Sequence, residues 1–234
     1  MSLPELSQYA CAYARYDPET LEPTNEETRI RLAELGWTEA DFRGRSVLDI
    51  GFNSGLLTIE ACRLGARRVV ACESGADHVA AFAPVVAAHR LPVEVRHRAF
   101  GDIDPDADGA DVVLAMEVLH WIVAQGMRLE EALERLVALT RETLFVEFPW
   151  SVDEPSIRVH TRLGERDYSA DRILDLLTQR FRRVCIVRFL GYFGPSPEPA
   201  RVLRLFGRAR FSRFFGRRTL SRRVLVRAGD RLPT

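Results

Sequence analysis

No run in the 234-residue sequence is apolar for long enough to cross a bilayer. Pro4 and Glu5 interrupt the opening residues, so no secretory leader is expected. Lysine is absent: all 33 basic residues are arginine, whose planar fork matches carboxylates and phosphates. Cysteine is scarce. Cys11, Cys62, Cys72 and Cys185 lack metal-ligand spacing, and three stand in core-like patterns, which reads as buried thiols in a reducing, cytoplasmic compartment. No tight set of His and Asp ligands stands at the strand ends, so no metal is expected.

The apolar fraction of 47% supports one α/β domain with a full core. Formal charge is zero but uneven: residues 201–234 hold eleven arginines against the single acid Asp230, a net +10 that leaves −10 on the rest.

Residues 45–73, RSVLDIGFNSGLLTIEACRLGARRVVACE, organise the chain. Val47 to Ile50 reads as a buried strand stopped by Gly51. Gly51 and Gly55 flank Asn53 and Ser54, helical spacing follows through Leu57, Ala61 and Leu64, and Gly65 closes it. Val69 to Cys72 is a second strand with Glu73 at its end. Strand, glycine turn, helix, strand and acid form half of a doubly wound sheet, and they point to a nucleoside-bearing ligand whose ribose a carboxylate can hold. The spacing is not that of a dinucleotide site. Asn53 stands where the second glycine of G-x-G-x-x-G belongs, and Asp49 would repel a pyrophosphate, so a cation suits the turn better than NAD.

LDIGFNSG, followed by a helix, a strand and Glu73, resembles the first motif of the class I S-adenosylmethionine-dependent methyltransferases. The resemblance implies a Rossmann-like, doubly wound α/β fold with a seven-stranded, mostly parallel sheet and an antiparallel last strand. It also implies S-adenosyl-L-methionine as cofactor, its methionine part over Gly51, Asn53 and Gly55, its ammonium near Asp49 and its ribose on Glu73. Asp102 is carried over as the partner of the adenine amino group, and Met116 as a further cofactor contact. Residues 1–40 would form an N-terminal helical cap in which Tyr16 and Arg29 touch the methionine carboxylate; residues 41–234 would form the methyltransferase domain.

Along the chain, Thr24 and Glu27 read as a capping box that starts a helix ending at Gly36. Asp77 to His89 is helical, with Pro84 expected to break or kink it. Val93 to Phe100 reads as the third strand. Asp104, Asp106 and Asp108 read as a solvated turn. Ala110 to Val118 is the fourth, and its end, Met116 to Trp121, falls where the chemistry of such sheets collects. His120 is the first candidate for a general base and Glu117 the second, because imidazole titrates near neutrality. A helix over Leu129 to Leu139 precedes a fifth strand, Thr143 to Phe148; Trp121, Glu147 and Trp150 are substrate-binding candidates on the same open face. A helix over 169–180, a sixth strand over 182–189 and a last strand near Val224 to Val226 follow.

Residues 190–221 then form an insertion before the last strand. In the stretch from Arg201 to Arg223, arginines that include Arg204 and Arg208 alternate with Phe211, Phe214 and Phe215. Such a stretch lines a pocket for an anionic substrate, lies on an anionic membrane at its inner face, contacts nucleic acid, or is a solvated cap. Nucleic acid is the least favoured partner, because the remainder of the chain is negative. The EVLHW and FVEFPW strand ends and the terminal strand resemble methyltransferases that cap surface polysaccharide chains. That likeness implies O-methylation of a sugar, sugar phosphate or other anionic acceptor. The alternatives are O- or N-methylation of a small natural product, a non-catalytic S-adenosylmethionine-binding scaffold, and an NAD oxidoreductase. Oligomeric state is not legible.

Overall fold

A computed structural model describes residues 14–150, 161, 163–164, 166–191 and 222–232. It contains a seven-stranded sheet in the order β3-β2-β1-β4-β5-β7-β6. The strands are β1 (Ser46–Ile50), β2 (Arg68–Glu73), β3 (Val93–His97), β4 (Ala110–Met116), β5 (Thr140–Pro149), β6 (Phe181–Gly191) and β7 (Arg222–Arg231). This is the expected Rossmann-like architecture. β7 runs antiparallel to both β5 and β6, which it separates.

Two compact units divide the chain. The first holds the described residues up to Leu114 together with Leu139–Arg141; the second holds Ala115–Ala138 and the described residues from Glu142 onward. In the first unit β1 pairs in parallel with β2 on one side and with β4 on the other. Val47, Leu48, Asp49 and Ile50 are all buried, as a strand covered on both faces requires. The strand order reverses between β1 and β4. The carboxyl end of β1 is therefore the switch point at which such sheets hold ligands.

Local sequence explains most boundaries. Helix α1 (Glu26–Leu35) ends at Gly36 in the left-handed region, as expected, but its cap is Asn25 and not Thr24. The Asn25 side chain accepts from the Thr28 N–H at 2.9 Å, and Asn is at least as good a cap as Thr. A short helix α2 (Glu39–Phe42) follows, opened by a capping box between Thr38 and Asp41. Helix α3 (Leu56–Arg63) follows the glycine turn. Helix α4 (Ala76–His89) runs through Pro84 without a break. Pro84 removes the N–H that would have met the Ala80 carbonyl, and Ala80 is exposed, so water can take that group's place.

β3 is shorter than the sequence suggests: Phe100–Asp102 leave the strand direction as a 3-10 turn. Asp104 then caps the short helix α5 (Pro105–Asp108). Asp108 is not solvated; Arg96 and Arg98 both pair with its buried carboxylate, which holds it below the usual carboxylate range against the cost of burial.

In the second unit, helix α6 (Leu119–Ala124) takes the residues read as the end of the fourth strand, and α7 (Leu129–Leu139) has the expected bounds. Helix α8 (Ala170–Arg180) leads into β6. Among the described residues no helix is long and apolar enough to cross a membrane. Residues 192–221 of the insertion, with Arg204 and Arg208, lie outside the described residues.

Candidate active site

In the first unit the turn between β1 and α3 is built as a cradle. Gly51 leaves β1 with φ 72° and its N–H donates to the Cys72 carbonyl at 2.8 Å. Asn53 takes φ 53°, a left-handed conformation that Asn tolerates better than most residues. Gly55 caps α3 at φ 86°, and a Cβ there would stand 2.2 Å from the Phe82 ring. Phe82 and Phe52 pack at 5.1 Å between centroids and carry the turn on a core that includes Leu56, Ile59 and Val85.

The segment before α1 is stitched to this turn. The Tyr16 hydroxyl donates to the Ser54 carbonyl at 2.7 Å, and the Ser54 hydroxyl donates to the Ala14 carbonyl at 2.8 Å. Tyr16 is thus buried on the turn, and burial raises its hydroxyl above the ordinary range. Arg63 donates to the Leu21 carbonyl and the Glu22 carboxylate, which ties the same segment to α3. Arg29, expected beside Tyr16, instead lies exposed on α1, where its guanidinium donates to the Pro23 carbonyl.

Three acceptors gather around the cradle. Asp49, 1% exposed, accepts from the Thr58 hydroxyl at 2.6 Å. Burial, opposed by that hydrogen bond and reinforced by the charge of Glu73, pushes its carboxyl up to about 7. Glu73 accepts from the N–H groups of Asn53 at 3.1 Å and Gly75 at 2.9 Å, so one carboxylate joins the glycine turn to the loop after β2. Asn53 Oδ1 is buried without a hydrogen-bond partner. An orphan acceptor on a turn whose N–H meets a carboxylate suits a ligand that brings donors and positive charge, such as an ammonium and ribose hydroxyls. It does not suit a pyrophosphate. Asp102 is exposed on the 3-10 turn after β3, with Phe100 buried two residues before it.

The second unit carries its own polar cluster. Met116 is buried at the end of β4. Glu117 follows at φ 61°, and its N–H donates to the Glu147 carbonyl at 3.0 Å. Its carboxylate meets Arg223 of β7 at 2.9 Å, with side chains 12% and 10% exposed. His120 stands in α6, not at a strand end, and is 1% exposed; the adjacent Trp121 is 39% exposed. Glu147 is buried in β5 and not on an open face, and Trp150 is half-buried just after that strand. Among the described residues no group of three His, Cys, Asp or Glu could hold a metal ion.

Two residues escaped the sequence reading. Thr58 was not singled out, although a hydroxyl between Leu57 and Ile59 in an apolar helix is itself a signal. Arg223 was counted with the arginine-rich insertion, yet it is a strand residue paired inward.

Residues 47–142 match the family model described as a methyltransferase domain. Residues 47–142 are thereby identified as a methyltransferase domain. No curated protein matches the chain. Among solved structures, the bifunctional kinase-methyltransferase WbdD is similar with a TM-score of 0.58 and 16% identity, over 90% of this chain and 40% of that one. The chain therefore spans about two fifths of the WbdD chains it matches. The N-methyltransferase NodS from Bradyrhizobium japonicum WM9, in complex with S-adenosyl-L-homocysteine, aligns with a TM-score of 0.57 and 14% identity over 98% of this chain and 97% of that one. A putative S-adenosylmethionine-dependent methyltransferase from Listeria monocytogenes aligns at 0.54 and 16% identity, over 87% and 99%. These likenesses concern the fold. The acceptors around the glycine turn are in keeping with S-adenosylmethionine as the cofactor of such a domain. Replacing Asp49 by Ala is expected to weaken cofactor binding more than about tenfold at pH 8, because an ammonium would lose its buried counter-charge. Calorimetry with S-adenosylhomocysteine and with NAD checks it; unchanged affinity, or equal affinity for NAD, would contradict the assignment.

Proposed function

We propose that the domain transfers a methyl group from S-adenosylmethionine to an oxygen of a sugar, sugar phosphate or other anionic acceptor. The observation that carries the reading is the Glu117–Arg223 pair in the second unit, at 2.9 Å and about nine-tenths buried on both sides. Two charges held out of water cost more than apolar residues of the same size, so their retention favours a role in recognition over one in stability. Likeness in fold to a protein that joins a kinase to a methyltransferase is in keeping with an acceptor that bears phosphate. The proposal extends to Arg204 and Arg208, as further cations for the same anion, and to Trp121 and Trp150 as surfaces for a sugar ring.

The cofactor supplies an electrophilic methyl group; the protein has to orient the acceptor and manage its proton. In-line approach accounts for much of the rate. A hydroxyl acceptor also needs a base, and His120 is the proposed one, with Glu117 orienting the acceptor. A phosphate oxygen needs none. The test is a set of acceptors (a neutral sugar, a sugar phosphate, a uronic acid and an amine) assayed with the parent and His120→Ala. Turnover of the hydroxyl acceptor should fall roughly 10²-fold in the variant with cofactor affinity kept. Methylation of the amine alone would overturn the acceptor class, and loss of folding in the variant would assign His120 to structure.

A further inference from the structure

Thr58 is wholly buried in the first turn of α3, on the helix that the glycine turn launches. A valine would fill nearly the same volume with no hydroxyl to satisfy. The chain keeps the hydroxyl and spends it on one atom, Asp49 Oδ2, at 2.6 Å. We propose that Thr58 is a positioning residue for the cofactor: by occupying Oδ2 it orients the Asp49 carboxylate, keeps it ionised, and leaves Oδ1 for the ammonium group of S-adenosylmethionine. The proposal rests on the cofactor assignment above and adds to it the residue that makes Asp49 competent.

The surroundings of Asp49 show why a donor is needed. Its β1 position places it beside Ala71 of β2 and Leu114 of β4, both apolar. The titratable groups that interact with it are Glu73 at the end of β2, Cys62 on α3 and Cys72 on β2. None can offer positive charge. Both thiols are held protonated by burial, pushed up to about 12 and about 11. Desolvation and Glu73 favour the neutral acid; Thr58 opposes them.

The sign of the pH effect follows. The folded carboxyl titrates near 7, above its ordinary range near 4. Without ligand, its contribution to stability is fully present below the ordinary range and is lost as pH rises through 7. The ammonium needs the ionised form, so affinity rises as pH rises through 7. Removing the hydroxyl moves that titration upward.

The experiment is calorimetry with S-adenosylhomocysteine as probe on the parent, Thr58→Val and Thr58→Ser, at pH 6, 7, 8 and 9. The probe's own titration is common to all three proteins and cancels in the ratio. Thr58→Val should bind about five- to tenfold more weakly at pH 6–7, and the gap should close to under about twofold by pH 9. Thr58→Ser should follow the parent. Equal affinities throughout, or a ratio that stays constant with pH, would overturn the role; a constant ratio is what simple loss of packing gives. If Thr58→Val does not fold, Thr58→Ala carries the same comparison. A parent that binds no probe at any pH would overturn the cofactor assignment itself, and the proposal with it.

Discussion

Replacing Arg223 by Met is expected to cost about 3–5 kcal/mol of folding stability, the range found when one partner of a buried ion pair is removed. Arg223 and Glu117 meet at 2.9 Å with about a tenth of each side chain exposed, so deleting the guanidinium strands a carboxylate in a poorly solvated place. Glu117 has little means of escape, because its N–H is held by the Glu147 carbonyl and its φ is 61°. The double variant Arg223→Met with Glu117→Gln should recover much of the loss, since no charge then remains to be desolvated. Denaturant melts of the two single variants and the double variant measure this. A loss under about 1 kcal/mol would mean that the pair behaves as a surface ion pair and leaves little to draw on for acceptor recognition.

Replacing Gly55 by Ala is expected to cost about 2–5 kcal/mol and to abolish measurable cofactor binding. Two effects add. At φ 86° an L side chain costs about 1–2 kcal/mol. The new Cβ would also lie 2.2, 2.4 and 2.5 Å from three carbons of the Phe82 ring, which is itself fully buried against Phe52, and overpacking of that kind typically costs about 1–3 kcal/mol. Any relief of the clash moves the turn, and the turn carries Asn53, whose N–H holds Glu73, and Ser54, which anchors Tyr16. Thermal melts and calorimetry with S-adenosylhomocysteine check both parts. Adding Phe82→Leu should restore some stability by removing the ring contact, without restoring the backbone conformation. A Gly55→Ala protein that melts and binds like the parent would show that the turn is not held as described.

The parts of the site that the sequence made legible are those whose geometry is local. Val47 to Ile50, the glycine turn, α3 and Glu73 lie within thirty residues and are specified by an apolar run, two glycines and a change of period from 2 to 3.6. The Gly36 stop and the bounds of α7 were legible for the same reason. Other local readings failed where two residues competed for one task. Asn25 took the cap from its neighbour Thr24, and α4 continues through Pro84 at a point where Ala80, one turn before, is exposed to water. His120 was read at a strand end, but α6 starts just after Glu117 turns the chain.

What the sequence by itself determined is the class of fold and the donor half of the reaction: an acid, a glycine turn and a second acid at the ends of consecutive strands. Local chain geometry brings those groups together. What only the tertiary structure decided is which polar groups face one another inside. Thr58 meets Asp49 because α3 folds back over β1, and Arg223 meets Glu117, about a hundred residues away, because β7 enters the sheet between β5 and β6. Periodicity shows only that a residue lies on a given face of its element. It cannot show which distant side chain will occupy the space in front of that face, since that depends on how whole strands and helices pack.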